Sequence, residues 1–213
     1  KKNSFKEDKQ KKEIKSKFSM TRENAINIII ECVEDNAAIV STTGKTSREL
    51  YEIRAKNAES HSNDFLTVGS MGHCSSIALG IALQAKQKKI YCIDGDGALL
   101  MHMGSMAIIS KLKPNNFIHV LINNFVHDSV GGQSTAIDSV NMLKIAKGFK
   151  YSHSFAIDNA KDLKNLLKGI KENVYGGPVF IEVLVKPGAR KNLGRPQVTP
   201  VQNKINFKKQ FKI

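Results

Sequence analysis

The chain has 213 residues, 41% hydrophobic and 24% charged, enough for one ordinary α/β domain with tails and too long for a disulfide-stapled miniprotein. Its net charge of +14 sits at the ends: residues 1–20 carry eight Lys against three acids, 186–213 carry eight basic residues and no acid, and the stretch between is nearly neutral. That distribution argues against a nucleic-acid platform, no run approaches the ~20 apolar residues of a membrane helix, and Cys32, Cys74 and Cys92 form neither a disulfide framework nor a zinc pattern.

The lysine-rich start lacks the apolar centre of a signal peptide. The expectation is a soluble, cytoplasmic protein with no nucleic-acid and no membrane partner. Residues 1–19 read as a linker or disordered arm, 20–186 as the domain, and 187–213 as a basic C-terminal extension.

From Thr21 onward, Ile26, Ile29, Ile30 and Val33 recur at helical spacing, and the apolar run Ala37 to Val40 then reads as a buried strand ending at Ser41, Thr42, Thr43 and Gly44. Thr46 and Glu49 have the spacing of a capping box for a second helix toward Ala58. Phe65 to Val68 is a short strand, followed by Gly69 and Gly72 and a small-residue helix from about Ser75 to Lys86. Lys89 to Asp94 is a strand ending in Gly95, Asp96 and Gly97, and Ala98 to Leu112 reads as one helix. Phe117 to Asn123 is a further strand, breaking at Asn124 into a Gly-rich polar stretch over 125–138. A helix near 139–148, a weak strand over 154–157, a helix marked by Leu163, Leu166, Leu167 and Ile170, and an apolar strand over 178–185 complete the domain.

Strands alternating with helices of this length imply parallel pairing through right-handed crossovers. The expected fold is α/β, a doubly wound, mainly parallel sheet with helices on both faces and ligands at the carboxyl ends of the strands. Four post-strand turns, at Thr43 and Gly44, 69–72, 94–97 and 123–126, would then share one rim.

The pair Gly95-Asp96-Gly97 and Asn123-Asn124 carries the most chemistry. The 25 residues between Gly97 and Asn123 hold one helix and one strand, the unit that sets two strand ends side by side. One carboxylate and one amide oxygen could share a cation there, and so sparse an oxygen set suits Mg²⁺ completed by phosphate oxygens and water. The glycines admit a diphosphate close to the backbone, and the helix start offers N–H groups to it. The spacing alone is also that of an ordinary strand-to-helix turn followed by a polar hairpin.

These residues resemble the cofactor-binding signature of thiamine diphosphate enzymes. The runs GSMGHCSSIALGIAL (69–83), DGDGALLMHMGS (94–105), NNFVHDSVGGQST (123–135) and RKNLGRPQVTP (190–200) together resemble the phosphonopyruvate decarboxylase family over about residues 21–206. The resemblance implies thiamine diphosphate and Mg²⁺ as cofactors. Asp96 and Asn124 would bind the metal by side chain and Val126 by its carbonyl, while Gly95, Gly97 and Ala98 would meet the diphosphate. Met71 would be the apolar wedge that bends the cofactor, and the Gly69 carbonyl would accept from its aminopyrimidine. The reaction implied is decarboxylation of 3-phosphonopyruvate to phosphonoacetaldehyde, a step of phosphonate biosynthesis, with the cofactor as electron sink.

Other residues keep two readings. Met71 also suits core filling. His127 and Asp128 are candidates for acid/base work or substrate orientation, or members of a solvated loop. Thr43 and Gly44 could donate to diphosphate or substrate. Lys45, Arg48, Arg190 and Arg195 could meet a phosphonate or simply be surface charges, and His73 is more often a packing residue than a functional one.

Phe125 stands where the family commonly has glycine and Ser134 where it has proline, which leaves the Val126 carbonyl the least secure ligand. The carboxylic acid that activates the cofactor comes, in related enzymes, from a separate pyrimidine-binding domain. The expectation is therefore a C-terminal half, partnered by that domain from the same gene product or from another subunit, in a homo-oligomer acting on a small 2-oxo acid. A sulfopyruvate decarboxylase subunit and a non-catalytic module of the same fold are the alternatives.

Overall fold

The computed structural model describes residues 16–211, so most of the arm expected over 1–19 lies outside the described residues. Among them are six strands, β1 (Ala38–Ser41), β2 (Asp64–Leu66), β3 (Ile90–Gly95), β4 (Phe117–Asn123), β5 (His153–Ile157) and β6 (Val179–Leu184). They form one parallel sheet in the order β2-β1-β3-β4-β6-β5. The helices are α1 (Arg22–Cys32), α2 (Lys45–Lys56), α3 (Cys74–Gln84), α4 (Asp96–Met101), α5 (Ser105–Leu112), α6 (Met142–Gly148), α7 (Ala160–Lys171) and α8 (Pro200–Lys208). None is long and apolar enough to cross a membrane.

Alternation along the strands divides the interior in two. Ile39, Tyr91, Ile93, Val120 and Ile181 face α1, α2 and α7, which contribute Ile26, Ile29, Leu50, Leu163 and Leu167. Val40, Cys92, Leu121 and Phe180 face the other layer, where α3, α5, α6 and α8 supply Ala78, Ile109, Met142 and Phe207. The doubly wound α/β sheet is as expected. Strand order reverses between β1 and β3, and in an open α/β sheet the crevice outside the carboxyl ends of such a pair is where ligands bind.

Four local expectations change. The box expected at Thr46 and Glu49 is absent: α2 starts after Gly44 (φ +94°) without a side-chain cap, because both residues are buried and Glu49 turns toward Arg22. A box forms instead at Thr21 and Asn24. The single helix expected over Ala98 to Leu112 is α4 and α5, broken at 102–104, where His102 packs onto the Gly72 turn. The helix expected near 139–148 begins with a 3₁₀ turn at Ala136–Ser139 and restarts at Asn141, whose side chain caps α6.

Finally, the basic stretch after 186, read from charge as a solvated end, docks. Leu193 is buried, Arg48 donates to the carbonyls of Leu193 and Gly194, and α8 lies on β2. There Asn203 accepts from the Leu66 N–H at 3.0 Å and donates to the Asp64 carbonyl at 2.9 Å. Net charge reports the exposed face of such a helix, whereas Phe207 and Asn203 decide its contact.

Candidate active site

Three strand ends meet at the crevice. At the end of β1, Ser47 Oγ in α2 donates to the Thr42 carbonyl at 2.7 Å and lies 2.6 Å from Ser41 Oγ, which pins the Thr42–Thr43–Gly44 turn. Gly95 closes β3 and Asp96 opens α4. At the end of β4, Asn123 donates to Glu182 Oε1 at 2.8 Å and accepts the Phe125 N–H at 3.2 Å. Asn123 is thus spent on holding its strand end, and Asn124 projects beyond it.

These ends enclose a cavity of about 270 Å³ lined by Thr43, Gly44, Met71, Gly95, Asp96, Gly97, Ala98, Asn124, Val126, His127 and Asp128, with Arg22, Lys45 and Ser129. Of the cofactor, metal and acid/base residues expected from sequence, all are there except Gly69, which lies in the left-handed turn before Met71 (φ +68°) but does not line the cavity. His73 is also outside it, its ring tilted against that of His102 with centroids 4.2 Å apart.

Asp96 is 5% exposed. Its Oδ1 accepts the Gly97 N–H at 2.8 Å and its Oδ2 the Thr135 hydroxyl at 3.0 Å. Burial pushes its carboxyl above the ordinary range, opposed by those two bonds, the Phe125 N–H and the charge of His127. No Lys or Arg among the described residues pairs with it, so a buried carboxylate faces the cavity without a Lys or Arg partner among them.

Asn124 Nδ2 donates to Asp128 Oδ2 at 2.8 Å, and Asn124 Oδ1 accepts the Val126 N–H at 3.3 Å. Phe125 between them has φ +65°. That left-handed conformation costs a bulky residue roughly 1–2 kcal/mol and is the physical reason a glycine suits this position. The strain is held by the Phe125 carbonyl accepting from Thr135, by the Val126–Ser134 bridge, and by Phe125 stacking on Phe18.

The space above Gly97 has no room for a side chain. A Cβ there would lie 2.4 Å from His127 Cε1 and 3.4 Å from the Met71 methyl. Met71 therefore borders the cavity rather than the core. Lys45 is the remaining cation on the wall, since Arg22 is bound to Glu49 and Asp128. Arg48 and Arg190 are held elsewhere, Arg190 by Glu23 and Glu52, and Arg195 is exposed away from the cavity.

Sequence reasoning missed Arg22, Glu49 and Thr135. Arg22 lies 106 positions from Asp128, and no local pattern connects them. A further cluster, Cys92, Asp94 and His119, has donor atoms within 4.8 Å of one another but is wholly buried. Asp94 accepts the Gly95 N–H at 2.9 Å and His119 Nδ1 lies 3.0 Å from the Tyr151 hydroxyl, so it is satisfied as a polar network of the core.

A parallel sheet with glycine turns, a buried unpaired carboxylate and an amide oxygen at its switch point defines a nucleotide- or diphosphate-binding class of α/β protein. Residues 42–183 match the thiamine pyrophosphate enzyme C-terminal TPP-binding domain, and the chain belongs to that family. It is 35% identical over 188 residues to a phosphonopyruvate decarboxylase of Streptomyces viridochromogenes, covering 88% of this chain and 45% of that protein. It is also 35% identical over 169 residues to a sulfopyruvate decarboxylase subunit beta of Methanothermobacter thermautotrophicus, covering 79% of this chain and 84% of that subunit. The fold superposes on a thiamine diphosphate-dependent 4-hydroxybenzoylformate decarboxylase of Rhodococcus jostii with a TM-score of 0.66 at 14% identity, over 82% of this chain and 34% of that one. The chain spans less than half the length of the phosphonopyruvate decarboxylases it matches.

Proposed function

We propose that this chain is the diphosphate- and Mg²⁺-binding half of a thiamine diphosphate-dependent decarboxylase that converts 3-phosphonopyruvate to phosphonoacetaldehyde and CO₂. The observation that carries the reading is the unpaired, buried Asp96 carboxylate on the cavity wall with Asn124. A carboxylate, an amide oxygen and the Val126 carbonyl are a hard, oxygen-only donor set, which fits Mg²⁺. A divalent ion would supply the charge that Asp96 lacks. Gly95, Gly97 and Ala98 leave the backbone approachable for a diphosphate, with Thr43 and Gly44 opposite, and Met71 beside Gly97 offers the apolar wedge. Gly69, just outside the wall, would offer its carbonyl to the pyrimidine end.

When bound, thiamine diphosphate supplies the electron sink for loss of CO₂. The chain's part is to hold the diphosphate, exclude water around Met71 and move a proton at His127. His127 lies over Gly97, and its ring makes no hydrogen bond among the described residues. Its ring nitrogens are therefore open to a ligand in the cavity, whereas Asp128 has one oxygen taken by three donors. Lys45 on the cavity wall is the cation suited to a phosphonate dianion.

The partner we infer is a pyrimidine-binding domain from the same gene product or a separate subunit, in a homo-oligomer. Exposed Val68, Met101, Ile108, Leu112 and Val130 support a covering surface. Three free thiols accord with a reducing, cytoplasmic setting. The second reading, a sulfopyruvate decarboxylase-type subunit, is favoured by the 84% of the Methanothermobacter subunit that this chain spans. The test is CO₂ release by the complete enzyme from phosphonopyruvate, sulfopyruvate and pyruvate, with preference for the first expected. Asp96→Ala should abolish Mg²⁺-dependent binding of thiamine diphosphate, and unchanged affinity would refute the site.

A further inference from the structure

Asp128 lies within the cavity wall, and one oxygen of its carboxylate is heavily engaged. One oxygen, Oδ2, accepts from Asn124 Nδ2 at 2.8 Å, from Arg22 Nη1 at 2.9 Å and from the Gly188 N–H at 3.1 Å. Arg22 is itself fixed from behind, donating from Nε to Glu49 Oε2 at 2.7 Å and from Nη2 to Glu49 Oε1 at 2.8 Å. Arg22 is 5% exposed and Glu49 1%. The start of α1 and the segment after β6 thus converge on one carboxylate oxygen four residues beyond Asn124, with Glu49 of α2 bracing Arg22 from behind.

An ionised carboxylate only accepts, and an amide has one accepting and one donating end. Asp128 therefore selects one of the two orientations of the Asn124 amide: Nδ2 must face Asp128, and Oδ1 must face the other way. Oδ1 is left with a single long bond, 3.3 Å from the Val126 N–H. A flipped amide would put two N–H donors where a cation needs an oxygen.

Resting on the metal reading proposed above, we infer that Asp128, clamped by Arg22 and Glu49, is a positioning residue that fixes Asn124 Oδ1 toward the divalent cation. Groups outside a ligand shell that orient the ligands typically account for 10–100-fold in metal affinity, which sets the expected size of the effect.

The test uses Mn²⁺ as probe, titrated into the complete enzyme at saturating thiamine diphosphate and followed by the electron paramagnetic resonance of free Mn²⁺. Asp128→Ala should weaken Mn²⁺ by ~10–100-fold. Asp128→Asn can still turn its amide oxygen to Asn124, Arg22 and Gly188, and should recover most of that loss. The kcat deficit of Asp128→Ala should shrink as Mn²⁺ is raised toward saturation, the split between metal affinity and turnover that a positioning role gives.

Wild-type Mn²⁺ affinity in Asp128→Ala would overturn the inference. Equal losses in the Ala and Asn variants would assign the effect to charge and overturn it as well. A kcat deficit of Asp128→Ala that does not shrink toward saturating Mn²⁺ would make Asp128 a catalytic residue, again overturning it. Asp96→Ala and Asn124→Ala provide the separate control, because wild-type Mn²⁺ affinity in those variants would mean that the metal reading itself had failed, whatever Asp128 does.

Discussion

Removing the Arg22 side chain tests the arrangement behind the cavity. In Arg22→Met, Glu49 loses both bonds from its charged partner and Asp128 loses one. Asp128 keeps the donors from Asn124 and Gly188. Glu49, 1% exposed, has no other side-chain hydrogen-bond partner among the described residues.

Breaking a buried pair by deleting one member costs about 3–5 kcal/mol. At ~2–4 °C per kcal/mol for a domain of this size, the midpoint should fall by about 10 °C. Burial already pushes the Glu49 carboxyl up, with Arg22 pulling it back, so without Arg22 it rises further. A raised carboxyl contributes stability that is present below its unfolded value and lost as pH climbs through its folded one. The deficit of Arg22→Met should therefore shrink on acidification from about pH 8 to about pH 5. Adding Glu49→Leu replaces the orphaned acid by an apolar group and should restore at least about 2 kcal/mol. Urea unfolding of the four proteins at both pH values measures this. A double variant no more stable than Arg22→Met, or a deficit independent of pH, would refute the reasoning.

Gly97→Ala places a methyl 2.4 Å from His127 Cε1. Because the obstacle is a side-chain end, the fold should tolerate it, while thiamine diphosphate affinity falls about tenfold or more, as calorimetry would show. Asn203→Ala removes both bonds to the β2 backbone and should cost ~2–3 kcal/mol, with faster hydrogen exchange at the Leu66 amide. Burial pushes Asp64 from 3.8 to about 6, with Arg54 opposing. Its contribution is complete below about pH 4 and lost as pH rises through about 6, a change of at most ~3 kcal/mol. Asp64→Asn should flatten that part of the urea-stability profile. The 213-residue chain alone should release no CO₂ from phosphonopyruvate, and turnover by it would remove the need for a pyrimidine-binding partner.

Element type and order, and the rim where the chemistry gathers, were legible in the residues. Apolar periodicity reports burial directly, and in a parallel sheet a turn that follows a strand can only lie at its carboxyl end. Hence Gly95, Asp96, Gly97 and Asn124 were visible as neighbours across 26 intervening residues. Boundaries set by packing were not: α4 and α5 part where His102 meets Gly72, and Glu49 abandons a cap for Arg22.

Phe125 was identifiable as unusual, but only its φ of +65° shows what the position demands. The assignment of Asp128 belongs to tertiary structure as well. Local sequence fixes which groups a loop carries, whereas the partners of a buried charge come from whichever segments fold over it, here Arg22 and Gly188. That distant pairing decides how the carboxylate beside the cavity is held against its neighbour Asn124.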